Sequence, residues 1–150
     1  MQFKKILPWI LVIIWMSVIF YFSHQPAVAS NGLSTGITEK LLYLINDILP
    51  NLELNIETVN HVIRKGAHFS IYLLLGVFVV LGFKSTGIKE NKVVFLSLLV
   101  CVLYATSDEI HQLFVPGRSG EIRDIVIDSI GSLVGIIGIK QLLRLLTRAK

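Results

Sequence analysis

Residues 101–135 read CVLYATSDEIHQLFVPGRSGEIRDIVIDSIGSLVG. The stretch opens apolar, acquires Asp108, Glu109, His111 and Gln112, breaks at Pro116-Gly117, and resumes as an apolar run that carries Asp124 and Asp128. Pro and Gly interrupt helices, so residues 115–120 read as a tight turn between two of them. A helix crossing a bilayer needs roughly 20 apolar residues. The first run reaches that length only if it continues through Asp108, and the second carries Asp124 and Asp128 in its first two turns. Ionisable groups in a span face the bundle interior or a watery cavity, and they pair, because a charge facing lipid is expensive. Gly131 and Gly135 form a GxxxG pattern, which lets helix backbones approach closely. The stretch therefore argues for a helical membrane bundle with its polar groups turned inward.

The rest of the chain agrees. Of 150 residues, 53% are hydrophobic and only 16% charged, and the mean hydropathy is +0.71. A soluble domain carries about 25% charged residues, so an ordinary soluble enzyme is disfavoured and a disordered chain excluded. The single cysteine, Cys101, cannot form an intrachain disulfide and excludes a cysteine-based zinc site. Four spans are expected, at about 6–22, 66–83, 93–112 and 122–146, in one membrane domain covering 1–150. The first follows Lys4 and Lys5 and precedes Ala27-Val28-Ala29, as a signal peptide would. Its apolar run exceeds the 7–15 residues of a signal core, so an uncleaved helix is expected.

Basic residues set orientation. With both termini in the cytoplasm, the inner side holds Lys4, Lys5, Lys84, Lys89, Lys92, Lys140, Arg144, Arg148 and Lys150 against Glu90 alone. The outer side holds Lys40, Arg64, Lys65, Arg118 and Arg123 against Glu39, Asp47, Glu53, Glu57, Asp108, Glu109, Glu121, Asp124 and Asp128. The net +4 of the chain is thus a consequence of positive-inside topology and not a footprint for nucleic acid. Between the first two spans, Ile37, Leu41, Leu44, Ile45 and Ile48 recur at helical spacing, with Thr38, Glu39, Lys40, Asn46 and Asp47 opposite. This predicts an external amphipathic helix, either on the membrane surface or packed over the bundle as a lid. Residues 51–55 read as a polar connector.

At 100° per residue, the polar faces can be read helix by helix. The first span lines up Ser17, Tyr21 and His24. The second lines up His61, Arg64, His68 and Tyr72, with Lys65 at the edge. The third lines up Ser97, Cys101, Ala105, Asp108 and Gln112, with His111 near the edge and Glu109 pointing away. The fourth lines up Asp124, Asp128, Gly131, Gly135 and Gly138. The predicted object is a four-helix bundle with a polar vestibule at the outer leaflet, holding Arg64, His68, Asp108, Gln112, Arg118, Asp124 and Asp128.

These residues also carry a resemblance. Residues 22–26 (FSHQP), 64–72 (RKGAHFSIY), 107–118 (SDEIHQLFVPGR) and 124–131 (DIVIDSIG) resemble the VanZ-like family of small bacterial membrane proteins. The similarity runs over nearly the whole chain and is weakest between 27 and 58. Asp128 departs from the pattern, which has Asn there in many members. The resemblance implies residence in the bacterial plasma membrane and a link to resistance against teicoplanin-type glycopeptide antibiotics, without implying a reaction.

Structural roles compete with functional ones. Asp124 near a helix N-terminus is favoured by the macrodipole whatever its function. Asp128, one turn deeper, is not, and an intramembrane carboxylate is functional by default. Arg118 can pair with Asp124 or Glu109, or bind a phosphate bidentately. Three readings stand. The first is a binding module for an anionic envelope lipid or lipid-linked wall precursor, with Arg64, Lys65, His68, Tyr72, Gln112, Arg118 and Asp128 as ligand contacts. The second is a membrane hydrolase or transferase of such lipids, with Asp108, Glu109, His111, Asp124 and Asp128 as catalytic candidates. No cofactor is expected, except that His68, Asp108, Asp124 and Asp128 offer donors for a divalent metal. No established metal spacing such as HExxH is present. The third is a small transporter, formed as a homo-oligomer; the chain has no inverted repeat to support it.

Overall fold

The computed structural model describes residues 3–49 and 54–148, apart from the side chain of Lys4. Five helices follow one another: α1 (Phe3–Ser23), α2 (Ala27–Ile48), α3 (Ile56–Ser85), α4 (Glu90–Gln112) and α5 (Ile122–Arg148). The fold is all-α among the described residues. α1, α3 and α4 are long and apolar enough to cross a membrane, over Lys5–Ser23, Ile56–Ser85 and Glu90–Gln112. At 1.5 Å per residue α5 is about 40 Å long, but its acidic first turns and basic last turns set it apart from those three.

Local chemistry fixes the boundaries. Pro26 separates α1 from α2, and Gly87 (φ 79°) and Gly117 (φ 75°) take the left-handed conformations that turn α3 into α4 and α4 into α5. Asn55 caps α3, its side-chain oxygen accepting from the N–H groups of Glu57 and Thr58 at 2.8 and 3.1 Å. Of the predicted connector 51–55, residues 51–53 lie outside the described part.

α3 is the axis of the bundle. Against α5 it packs backbone to backbone: a Cβ on Gly76 would run into the Ser132 carbonyl, one on Gly131 into that of Phe69, and one on Gly135 into that of Leu73. Ser132 Oγ donates to the Tyr72 carbonyl at 3.2 Å across the same seam. Gly138, expected on this face, has open space around it and stands outside the seam. Against α1, Trp15 Nε1 donates to the Ile71 carbonyl at 2.9 Å, and the Trp9 and Phe83 rings meet edge to face. α1 turns Val12, Ile19 and Ser23 inward. Its predicted polar face faces out instead: Ser17 satisfies its hydroxyl on its own helix at the Ile13 carbonyl, and Tyr21 is 63% exposed. On α4, Ser97, Cys101, Ala105, Asp108 and Gln112 are all buried.

α2 departs most from expectation. It begins directly after Pro26, and its buried residues are Ser34 and Thr38, while Ile37, Leu41, Leu44 and Ile48 are exposed. Of its predicted polar face only Thr38 is buried, while Glu39, Lys40, Asn46 and Asp47 are exposed; of its apolar residues Leu33 and Ile37 border the space between α2 and the bundle.

Candidate functional site

A cavity of about 400 Å³ lies between α1, α2 and α3, floored by the end of α4. Its walls are mostly apolar: Ile19, Phe22, Leu33, Ile37, Ile63 and Ile71. Ser23, Arg64, His68, Tyr72, Asp108 and Arg118 bring polar groups into it. Ser23 Oγ, Tyr72 Oη and Asp108 Oδ1 are buried and have no hydrogen-bond partner among the described residues. Buried polar groups are ordinarily paired; Ser23 and Asp108 lie close to one another and Tyr72 Oη stands alone, so this wall keeps hydrogen-bonding capacity for groups from elsewhere.

The arginines reach the cavity differently. Arg64 Nη1 donates to Asn31 Oδ1 at 2.7 Å, tying α3 to α2. Arg118 sits in the α4–α5 turn, but it pairs with neither Asp124 nor Glu109 as anticipated. Its Nε and Nη2 donate to the carbonyls of Gln25 and Phe22 at 2.9 and 3.0 Å, and Nη1 donates to Gln112 Oε1 at 3.3 Å. Burial and the nearby Arg64 pull its pKa below the usual arginine range, against the opposing pull of Asp108, Glu109 and Asp124; it stays charged. Three of its five N–H groups are used and two are free for an oxyanion.

Behind His68 lies a second group. His68 Nδ1 is 3.5 Å from Asp128 Oδ1, and donor atoms of His68, Glu109 and Asp128 fall within 4.8 Å of one another. Asp128 is fully buried, and neither of its oxygens has a hydrogen-bond partner among the described residues. Glu109 does not point away from the polar set, as helix geometry alone predicted. It is buried, its Oε2 accepts the Glu121 N–H at 2.8 Å and its Oε1 accepts the Gln112 amide at 3.2 Å. α4 packs against both α3 and α5, so its buried arc is wider than one stripe. Of the anticipated metal donors, His68 and Asp128 come together; Asp108 and Asp124 are outside this group, and Glu109 takes their place.

Two further anticipated residues pair off. Lys65 forms an ion pair with Asp124 and lies 3.3 Å from Glu121, joining α3 to the first turn of α5. His111 stands against His24, Nε2 to Nδ1 at 3.1 Å, with their rings stacked beside Phe20. Ser23 was not anticipated. Its signal is the spacing Val12, Ile19, Ser23, which continues the buried stripe of α1.

A family pattern described as VanZ/LLP1 matches residues 8–144. The chain belongs to the VanZ/LLP1 family. No curated protein and no solved structure matches it. The VanZ/LLP1 match spans every residue of the cavity and of the group behind it. Membership together with the three apolar helices makes this a membrane protein.

Proposed function

We propose that this VanZ/LLP1 protein binds an anionic envelope lipid or lipid-linked wall precursor in the α1–α2–α3 cavity, at the outer leaflet of the bacterial plasma membrane. In this reading α1, α3, α4 and α5 are four spans of a single domain with both termini in the cytoplasm. α2 lies at the outer surface with its exposed Leu41, Leu44 and Ile48 toward lipid. Engagement of wall precursors then lowers sensitivity to teicoplanin-type glycopeptides.

The observation that carries the reading is the mixed lining. Apolar walls suit an acyl or prenyl chain. Arg64 and the two free N–H groups of Arg118 suit a phosphate. The orphan carboxylate oxygen of Asp108 asks for a hydrogen-bond donor, and an anion alone has none to give. A headgroup with both phosphate and hydroxyl or amide groups answers both demands, and cavities of roughly 300–1,000 Å³ are the size that small ligands occupy.

Arg64→Ala is the clean test, because among the described residues the Arg64 side chain has one hydrogen bond, to Asn31. Native mass spectrometry of the full chain released from mild detergent is expected to show a phosphorylated lipid on the wild type and at least tenfold less on Arg64→Ala. Its mass names the lipid class. A wild type free of lipid, or a variant that retains as much as the wild type, rejects the reading.

A further inference from the structure

We propose that His68, Glu109 and Asp128 bind one divalent cation behind the cavity wall that His68 forms. Three observations converge. The first is distance. Zn²⁺ holds nitrogen and oxygen donors at about 2.0–2.2 Å, and tetrahedral geometry then spaces neighbouring donors by roughly 3.4 Å. His68 Nδ1 and Asp128 Oδ1 stand at 3.5 Å, and all three donors lie within 4.8 Å of one another, so small side-chain rotations complete the set.

The second is the state of Asp128. It is fully buried, with both oxygens lacking a hydrogen-bond partner among the described residues. A carboxylate so enclosed needs a counter-charge, and its neighbour His68 supplies one only when protonated. One neutral imidazole, two carboxylates and a dication sum to zero charge, the arrangement that low-dielectric surroundings favour.

The third is support around the donors. Metal-bound carboxylates are themselves held by hydrogen bonds. Glu109 is held by the Glu121 N–H and the Gln112 amide, and Gln112 is held in turn by Arg118. Each Glu109 oxygen keeps a lone pair for metal. The imidazole–carboxylate donor set suits Zn²⁺ or Mn²⁺ better than Ca²⁺, which prefers oxygen alone. Three protein ligands leave a coordination position open. His68 also lines the cavity, so the cation stands one imidazole away from that wall, and an oxyanion would reach the open position from that side. That last step rests on the proposed binding of a phosphate-bearing lipid; the cation site itself does not.

The test uses the full chain in mild detergent with Zn²⁺ or Mn²⁺ as the probe. About one metal per chain is expected by elemental analysis, with loss of at least tenfold affinity in Asp128→Asn and in Glu109→Gln. Asp124→Asn, whose partner is Lys65, keeps the metal. On the wild type, Zn²⁺ at a hundredfold excess over its Kd raises the unfolding midpoint by roughly 5–10 °C, and EDTA reverses it. This arm stands even where a variant does not fold. Inorganic phosphate is expected to perturb the electron paramagnetic resonance spectrum of bound Mn²⁺. A wild type with no metal and no EDTA-sensitive stability overturns the site. Metal that stays equally on Asp128→Asn and Glu109→Gln overturns the assignment. A phosphate-insensitive spectrum overturns the open position. Metal on a chain that carries no lipid supports the site while rejecting the lipid reading.

Discussion

α5 and α2 both lean on α3, and they do so by opposite means. α5 meets α3 through glycines: Gly76, Gly131 and Gly135 bring the two backbones together with no room for a methyl group. The Lys65–Asp124 ion pair closes the end of the same interface at the first turn of α5. α2 meets α3 through small polar groups. Thr38 Oγ1 donates to the Ser34 carbonyl at 2.8 Å and approaches Asn60 Oδ1 at 3.4 Å, and Asn31 receives Arg64. A Cβ on Gly32 or Gly36 of α2 would meet nothing within 4 Å. The contrast teaches where rigidity is kept. The group behind His68 is braced by the tight α3–α5 interface, whereas the cavity is walled on one side by a helix held by a few hydrogen bonds. Sites that admit a large ligand need one wall that yields, and low local packing is the physical form of that freedom.

The largest expected effect lies in the glycine seam. Gly135→Ala drives a methyl group into the Leu73 carbonyl and is expected to cost about 3 kcal/mol, the upper end of ordinary overpacking. Gly138→Ala, with open space around it, leaves stability unchanged or raises it by up to about 1 kcal/mol. Equilibrium unfolding in detergent separates the two, and equal costs would break the comparison. Next comes Asp124→Asn. Its pair with Lys65 is partly shielded, so the cost lies between the ~0.2–1 kcal/mol of exposed pairs and the ~3–5 kcal/mol of breaking a buried one. About 2 kcal/mol is expected, and a double-mutant cycle with Lys65→Met reads how much of it is coupling. Glu109→Ala strips the Glu121 N–H and the Gln112 amide of their acceptor and is expected to cost about 1–3 kcal/mol. The same unfolding assay measures it, and a cost within error of zero would show that α5 does not depend on this anchor. The smallest effect is on the α2 side. Thr38→Ala and Asn31→Ala are each expected to cost about 1 kcal/mol or less. Asn31→Ala nonetheless lowers lipid retention by native mass spectrometry, because it releases Arg64. A stability loss at Thr38 equal to that at Gly135 would mean that α2 is as firmly held as α5.

How legible these two helices were in the sequence follows from the same contrast. The inward faces of α4 and α5 could be read because small residues and carboxylates at helical spacing leave few places to go in a membrane. Asp124, Asp128, Gly131 and Gly135 are all buried. The face of α2 could not be read. Periodicity says which side of a helix is apolar, and only the surroundings say whether that side meets protein or lipid. Thr38 is buried because it returns its hydroxyl to its own backbone, a bond that no hydropathy pattern registers. Glu109 escaped for a different reason. Helix geometry places it off the Asp108 face, but the Pro116-Gly117 turn carries the chain back so that Glu121 delivers its N–H to that carboxylate. Gly120 makes the approach possible, since a Cβ there would meet the Glu109 carbonyl at 2.7 Å. The spacing of Glu109, Gly120 and Glu121 was visible; their meeting depends on how the turn closes. Five helices were anticipated and five are present among the described residues, with α2 and α3 longer than predicted.

The corner between α1 and α2 is fastened to the α4–α5 turn. Arg118 grips the carbonyls of Phe22 and Gln25, the Ala27 N–H donates to the Pro116 carbonyl at 3.2 Å, and the Ala27 and Gly117 positions nearly touch. Gln25 and Arg118 are 93 residues apart in the chain. Translation proceeds at about 5–20 residues per second, so roughly 5–20 s pass between the making of one half of this fastening and the other. For the latter part of that interval, after residue 85, α1, α2 and α3 are all synthesised and the corner is unheld. The order of manufacture thus leaves the cavity open to the surrounding membrane until the α4–α5 turn arrives to shut its corner.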